Sequence, residues 1–485
     1  MADHLLVIDE GTTSTRAMLF TPDGRCVASE AAALTQSYPR PGWVEHDAAE
    51  IWRKTLRVTA AMVAQAGGAA RITGIGITNQ RETVVFWDRT TGEPLGPAIV
   101  WQDRRTADRC RALAEAGHEE MVQQRTGLLL DPYFSGSKIG WAMREWPALA
   151  EAGERLAVGT IDSWLVWKLT GGRHVTDASN ASRTALMALD GGWDDALIDL
   201  FGAPRAALPE IVDCAGAIGE TTLFGDRIPI TGMAGDQQAA AIGQACLTPG
   251  DTKATYGTGA FILTHTGDTV PTSTNRLLST VAWQLGGARA YALEGSVFVA
   301  GSLIQWLRDS LGLIGNAGET AALAASVEDT GGAYLVPALS GLGAPWWTPD
   351  ARAALTGMSF ATTKAHIVRA ALEAQSYQTH DLMKAFAADG ADWQTLRIDG
   401  GMVANDWLAQ DLADMLALPV ERPKFAETTA LGAAMLAGVG VGLFKDLTAA
   451  SAMRGEVECF ETTLDGDNRE RRLSGWRDAI AGVIA

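Results

Sequence analysis

The sequence has few cysteines and no pattern typical of a metal centre or a membrane span. Its five cysteines (Cys26, Cys110, Cys214, Cys246 and Cys459) lie far apart with no C-x-x-C pair, so neither a disulfide framework nor a zinc ribbon is indicated. The seven histidines form no H-E-x-x-H motif. The longest nearly uncharged stretch, "TALGAAMLAGVGVGLF", is shorter than the ~20 residues that span a bilayer, and it predicts a buried helix. We expect a cytoplasmic protein.

Positive charge is also scarce. The formal net charge is -18, and no polybasic run is present, which argues against nucleic acid or an anionic membrane as a partner. The sequence has no G-x-x-x-x-G-K-[ST] motif, so a P-loop is excluded. If the ligand is a nucleotide, another structure must hold its phosphates.

The 485 residues are enough for two to three domains, and their pattern is α/β. "LLVID", "TRAMLF" and "CVASEAAAL" predict three antiparallel strands. A helix should follow, with Asp47 as its N-cap, Glu50 completing a capping box and Gly67 ending it. "ITGIGIT" then predicts a buried strand.

The same order recurs in the second half. "TKATYGTGAFILTH" again places a Gly-Thr-Gly turn between two strand-like runs, "LLSTVAW" can supply a third strand, and "SVFVAGSLIQWLRDSLG" has helical character. A long helix should run from about Thr363 to Asp389. We therefore predict two duplicated α/β domains, residues 1–245 and 246–485, with a cleft between them.

The two Gly-Thr turns are candidate phosphate cradles, because glycine allows close approach and N–H and hydroxyl groups donate to phosphate oxygens. One such turn alone is better explained as an ordinary turn, but two at matching places favour a cradle. Asp9 is placed to hold Mg²⁺, and Arg16 can offset phosphate charge. Strand alternation predicts that Glu10 points away from the metal; the alternative is a bend at Gly11 that turns Glu10 toward the phosphates.

Three further segments carry candidate chemistry, each with a structural alternative. Asp236 in "GMAGDQQAA" can be a helix N-cap or a general base for phosphoryl transfer, and the two roles are not exclusive. Arg81 and Glu82 are either a solvated turn pair or a buried pair that grips adjacent hydroxyls. Trp101 and Tyr133 are either core aromatics or contacts for carbon faces.

Together, "DEGTTSTR", "PGWVEHD", "GITNQRET", "DPYFSGSK", "TDASNASRT", "GMAGDQQAA", "TYGTGAF", "DGGMVAND" and "TALGAAMLAG" resemble the FGGY family of carbohydrate kinases, over residues 5 to about 444. "GITNQRET" and "DPYFSGSK" are similar to the members that act on glycerol. The resemblance implies two actin-like (ribonuclease H-like) domains and Mg²⁺- and ATP-dependent phosphorylation of glycerol to sn-glycerol 3-phosphate.

The resemblance also implies roles for individual residues. Asp236 matches the catalytic base and, with Asp9, the metal side. The expected glycerol contacts are Arg81, Glu82, Trp101, Tyr133, Asp236, Gln237 and Phe261. The expected nucleotide contacts are Thr12, Thr13, Ser14 and Arg16 from the first half and Thr258, Gly301, Gln305, Gly401 and Asn405 from the second.

The sequence departs from the family pattern in two places. Glu10 stands where members usually have Gln, and the loop "TTLFGDRIPI" is shorter than the loop by which some members bind fructose 1,6-bisphosphate, so we predict no inhibition by that compound. A homo-oligomer, dimer or tetramer, is a family expectation. Two alternatives remain open: a kinase for another polyol or sugar, and a non-catalytic nucleotide-binding regulatory protein.

Overall fold

The computed structural model describes residues 3–348 and 350–484, and it divides into two halves with related sheets. The strands of the first half are β1 (His4–Glu10), β2 (Ser14–Phe20), β3 (Cys26–Ala33), β4 (Gln36–Ser37), β5 (Glu45–His46), β6 (Ile72–Asn79), β7 (Val84–Asp88), β8 (Ala98–Ile99), β9 (Leu156–Thr160), β10 (Val175–Asp177), β11 (Glu210–Val212), β12 (Ala215–Thr221) and β13 (Ile228–Gly235). Its helices are α1 (Ala48–Gln65), α2 (Ala107–Glu115), α3 (Glu119–Thr126), α4 (Ser135–Glu145), α5 (Pro147–Ala152), α6 (Ile161–Thr170), α7 (Ala178–Ala181), α8 (Asp195–Phe201) and α9 (Asp236–Gly243).

The second half contains fewer strands and longer helices. Its strands are β14 (Thr252–Tyr256), β15 (Ala260–Gly267), β16 (Leu278–Leu285), β17 (Ala288–Val297), β18 (Tyr334–Val336), β19 (Ala354–Thr356), β20 (Leu396–Asp399), β21 (Val420–Pro423) and β22 (Val457–Phe460). Its helices are α10 (Gly301–Asp309), α11 (Glu319–Ala325), α12 (Lys364–Ala388), α13 (Asp406–Leu416), α14 (Thr428–Gly440), α15 (Leu447–Ala450) and α16 (Gly466–Ile484).

The central sheets of the two halves share a common arrangement of six strands, and the second sheet has one additional edge strand, β16. In the first sheet the strand order is β12-β13-β6-β1-β2-β3, with β1 antiparallel to β2 and parallel to β6. In the second it is β16-β17-β15-β14-β20-β21-β22, with β14 antiparallel to β15 and parallel to β20. Each half is therefore built around a hairpin followed by parallel strands. The first half adds a sheet of order β4-β5-β8-β7-β9, and β10-β11 and β18-β19 form two small sheets.

The helix boundaries follow local signals. Asp47 caps α1 by accepting a hydrogen bond from the Ala49 N–H at 2.8 Å, as predicted. The predicted capping box is wrong, however, because Glu50 pairs with Lys54 and accepts from Thr35 instead. Helix α12 runs from Lys364 to Ala388, within one residue of the predicted ends.

The sequence analysis did not predict strand β17. The predicted third strand of the second meander, "LLSTVAW", is β16 at the sheet edge, and the strand next to β15 is β17. The segment expected to begin a helix at Ser296 is the end of β17, and α10 begins only at Gly301.

Helix α14 connects the two halves. It belongs to the second half in sequence, yet it packs on β13, β6 and β1 of the first sheet and against α9. The two helices approach so closely that a Cβ on Gly432 would lie 1.8 Å from the Ala239 carbonyl oxygen. The predicted division at 245/246 remains a prediction.

The two faces of β1 are covered by different helices. Leu6 and Ile8 pack with α1, whereas Leu5 and Val7 pack with α14. This alternation fixes the directions of the two carboxylates that follow. The five cysteines are unpaired. Within residues 3–348 and 350–484, no helix is long and apolar enough to cross a membrane.

Candidate active site

The first hairpin turn lies between β1 and β2. The Gly11 N–H donates to the Ser14 carbonyl at 3.0 Å, and the Thr13 carbonyl accepts from the Leu34 N–H at 2.8 Å. Thr13 is exposed at the tip. The Thr12 hydroxyl accepts from the indole N–H of Trp101 at 2.9 Å. The turn is thus held from both sides, with Thr12, Thr13 and Ser14 at its tip.

Asp9 and Arg16 face each other on adjacent strands beside this turn. Arg16 donates to Asp9 Oδ2 at 2.9 Å and also lies 2.8 Å from Glu427, which directly precedes α14. Burial raises the pKa of Asp9, and Arg16 opposes that effect. The negative charges of Glu427 and Asp236 raise the pKa of Asp9 further. Carboxylate oxygens such as those of Asp9 and Asp236 are the hard ligands that Mg²⁺ prefers.

Glu10 points away from the turn, as strand alternation predicts. It is fully buried toward α1, where Oε2 accepts from the Thr55 hydroxyl at 2.9 Å. Its other oxygen, Oε1, has no hydrogen-bond partner in the described part of the chain. Burial raises the pKa of Glu10 to about 8. The alternative of a bend that brings Glu10 to the phosphates is therefore excluded in this structure.

The second hairpin turn lies between β14 and β15 and borders a cavity of about 480 Å³. Five predicted nucleotide residues line this cavity, namely Thr258, Gly301, Gln305, Gly401 and Asn405. Ile304, Thr320, Leu372 and Met402 add apolar and hydroxyl surface that the sequence interpretation missed. Asn405 caps α13 through the Leu408 N–H at 3.2 Å and donates to Thr320 at 3.0 Å, so its side chain is fixed in the cavity wall. A cavity of this volume is within the usual range of small-molecule binding sites.

Asp236 is the first residue of α9, directly after β13. The N-cap is Gly235, and Asp236 accepts from the N–H of its neighbour Gln237 at 2.7 Å, so the N-cap alternative is wrong. Asp236 Oδ1 lies 3.2 Å from Arg81 Nε, and a third of the side chain remains exposed. Burial raises its pKa, while Arg81 and Lys253 oppose that effect. A partly accessible carboxylate with a raised pKa is suited to accept a proton.

Gln237 is held by a buried lysine. Lys253 on β14 donates to Gln237 Oε1 and, at 3.0 Å, to the Thr255 hydroxyl. Lys253 is fully buried, and burial lowers its pKa. Sequence reasoning missed it, although a lysine inside an apolar strand is itself an unusual signal.

Arg81 and Glu82 are buried, with only 3% and 1% of each residue exposed, so the solvated-pair alternative is wrong. Glu82 has a left-handed backbone (φ 61°), and its carbonyl accepts from the Ser135 hydroxyl at 3.0 Å. A Cβ on Gly235 would lie 2.7 Å from Arg81 Cγ, so the small residue before Asp236 leaves room for the arginine. A glutamate held at positive φ is a costly conformation that the surrounding contacts must maintain.

Three half-buried aromatic rings from both halves meet beside these groups. The Trp101 ring centroid lies 5.6 Å from that of Tyr133 and 6.3 Å from that of Phe261, and both contacts are edge-to-face. Phe261 comes from β15 of the second half. The rings therefore form apolar walls at the junction of the halves, and they are not ordinary core aromatics.

Sequence reasoning missed the residues that fix these walls. Lys138 is fully buried and donates to the carbonyls of Tyr133, at 2.7 Å, and Trp101, at 3.4 Å. Arg183 and Glu294 lie behind Arg81 and Glu82. Only the presence of a lone charge in an otherwise apolar segment could have indicated them.

Comparison with known proteins assigns the class. Two family models, described as the N-terminal and C-terminal domains of the FGGY family of carbohydrate kinases, match residues 4–243 and 252–441. The chain belongs to this family. Its two halves are the two actin-like domains of the family fold, as predicted.

Within this family, the chain is similar over its whole length to glycerol kinases. The chain is 54% identical to a glycerol kinase of Methylobacterium nodulans, covering 100% of this chain and 99% of the relative, and 53% identical to one of Alcanivorax borkumensis, covering 99% and 98%. The crystal structure of Plasmodium falciparum glycerol kinase with ADP matches with a TM-score of 0.94 and 36% identity, over 100% and 99% of the two chains. A gluconate kinase from Lactobacillus acidophilus shares the fold (TM-score 0.88) at 20% identity.

Proposed function

We propose that this protein transfers the γ-phosphoryl group of ATP to glycerol and releases ADP and sn-glycerol 3-phosphate. The observation that carries the proposal is the small polar site made by Asp236, Arg81 and Glu82 between aromatic walls, beside the cavity of about 480 Å³. Full-length similarity to glycerol kinases at more than 50% identity supports the same substrate.

The side chains of the site have different chemical roles. Arg81 can donate to the glycerol hydroxyls and Glu82 can accept from them, while the rings of Trp101, Tyr133 and Phe261 cover the carbon backbone. In this arrangement Asp236 takes the proton from the terminal hydroxyl as that oxygen attacks the γ-phosphorus, and the bond to the leaving oxygen of ADP breaks.

The phosphates are held by the two hairpins. The N–H and hydroxyl groups of Thr12, Thr13, Ser14 and Thr258 are placed at the turn tips, and Arg16 supplies positive charge on the first side. Gly301, Gln305, Gly401 and Asn405 form the nucleoside side. Asp9 and Asp236 would hold Mg²⁺, which screens the phosphate charge when it is bound.

The test is a coupled assay of ADP release with glycerol, xylulose and gluconate as separate acceptors. We expect release only with glycerol, and phosphorylation of a sugar in preference to glycerol would favour the alternative of another FGGY activity. ATP binding without turnover on any acceptor would favour a regulatory protein. Asp236→Asn should lower turnover by about 10² to 10⁴ and leave ADP affinity intact; near-normal turnover would contradict the role of Asp236 as base.

We also propose that the protein is cytoplasmic and that it assembles into a dimer or tetramer. Size-exclusion chromatography with light scattering would measure the assembly.

A further inference from the structure

A buried network of four charged side chains lies at the proposed glycerol site. Arg81, Glu82 and Arg183 belong to the first half, and Glu294 on β17 belongs to the second. Arg183 and Glu294 are completely buried. Two arginines and two glutamates balance in charge, but removing four such groups from water costs several kcal/mol per ion before their pairing offsets it.

Glu294 is the centre of this network. Arg81 grips it with both ends of its guanidinium, at 2.5 Å to Oε2 and 3.2 Å to Oε1. Arg183 donates to Glu294 Oε1 at 2.9 Å and to Glu82 Oε1 at 2.7 Å. Glu294 therefore holds Arg81, Arg183 holds Glu82, and the contact between Arg183 and Glu294 joins the two pairs.

The orientation of Arg81 depends on this arrangement. With both terminal nitrogens directed to Glu294, its Nε faces Asp236 at 3.2 Å and lies 4.0 Å from Glu82. Without Glu294, the guanidinium is free to turn and form a paired fork with Glu82 or Asp236, since bidentate pairing with a carboxylate is its strongest geometry. Either pairing would occupy a group that the acceptor needs.

We propose that Glu294 and Arg183 are positioning residues for the acceptor, so that the second half of the chain completes the glycerol site. This inference rests on the proposed function. Burial alone would raise the pKa of Glu294, but Arg183 and Arg81 together lower it to about 2, so the carboxylate stays ionised at every pH at which the enzyme would work. Buried ion pairs are weak sources of stability, which favours a role in the site over one in the fold.

The experiment compares Glu294→Gln with wild-type enzyme. Glutamine keeps the shape but removes the charge that orients both arginines. We expect the KM for glycerol to rise about tenfold or more, while the KM for ATP and the affinity for ADP stay within about twofold, because the nucleotide cavity is not touched by Glu294.

A matched control is Glu373→Gln on α12. Glu373 is also a buried glutamate; it accepts from Arg369 at 2.8 Å and from Tyr377 at 2.7 Å, away from the glycerol site. This control should lower thermal stability without changing the KM for glycerol. A general loss of stability would affect both variants alike, whereas a positioning role changes glycerol kinetics in Glu294→Gln alone.

Arg183→Lys gives a second measurement. It tests the inference independently in case Glu294→Gln does not fold. Lysine keeps the charge but lacks the planar guanidinium that donates from Nε to Glu82 and from Nη2 to Glu294, so the glycerol KM should again rise. A glycerol KM within twofold of wild type, in a variant with normal ADP affinity, would overturn the inference. Wild-type enzyme that is inactive on glycerol would instead count against the proposed function itself.

Discussion

The buried carboxyl of Glu10 predicts an unusual dependence of stability on pH. Burial raises its pKa from 4.5 to about 8, so between these values the folded protein keeps a proton that the unfolded chain has released. A group that binds more protons in the folded state makes stability fall as pH rises. Its contribution is intact below pH 4.5 and is lost progressively up to about pH 8.

Glu10→Gln removes the titration but keeps the size of the side chain and an oxygen that can accept from Thr55. Each pH unit inside the window costs about 1.4 kcal/mol, so wild type should lose about 2 kcal/mol between pH 6 and pH 8 relative to the variant. For a domain of about 250 residues, such as the predicted first domain, a loss of about 2 kcal/mol lowers the unfolding temperature by about 4 to 8 °C.

The assay is thermal unfolding of both proteins at pH 6 and pH 8, followed by circular dichroism. The unfolding temperature of Glu10→Gln minus that of wild type should increase by about 4 to 8 °C from pH 6 to pH 8. Glu115→Gln, on the exposed surface of α2, serves as a charge-matched control that should show no such growth. Parallel pH profiles for wild type and Glu10→Gln would refute a proton on Glu10.

The same variant also tests the direction of the side chain. Because Glu10 faces α1 and not the turn, Mg-ATP affinity in Glu10→Gln should stay within about twofold of wild type. A large gain would mean that the charge acts on the nucleotide.

Three further predictions concern the site and its regulation. Lys253→Met should move the acid limb of the kcat/KM profile to higher pH, because Lys253 lowers the pKa of Asp236 and its loss leaves the base protonated over a wider range; an unmoved limb would contradict this. Lys138→Met should raise the KM for glycerol roughly tenfold and leave that for ATP unchanged, because the charged hydrogen bonds to the carbonyls of Tyr133 and Trp101 are lost; equal changes in both constants would indicate general damage. Fructose 1,6-bisphosphate at millimolar concentration should not inhibit, because only six residues connect β12 to β13; clear inhibition would count against the short-loop argument.

Much of the fold could be predicted because its signals are local. A Gly-Thr turn between two strand-like runs is written within about 15 residues, and it occurs twice in the same context. Asp47 marks the start of α1 in the same local way. The directions of Asp9 and Glu10 follow from the alternation of a single strand, which needs no knowledge of the partners.

The residues that hold the site in shape could not be predicted, because their partners are distant in the chain. Lys138 contacts a neighbouring turn and a loop 37 residues away, and Glu294 contacts Arg81 across 213 residues. Local patterns also assign a charged residue to the surface, since burial of a charge is costly unless it is paired. The pairing exists only once both halves have folded.

Glu294 lies on the strand that sequence reasoning missed, and it is the residue we propose to position the acceptor. The segment "ARAYALEGSV" is β17, a strand that the sequence analysis did not predict, and it carries a completely buried glutamate. That glutamate is tolerated because two arginines from the first half neutralise it. A charged residue inside a buried strand conflicts with the local pattern, and such conflicts are expected at functional sites, where they cost stability. The position at which the strand prediction fails is therefore the position at which the second half reaches into the acceptor site of the first.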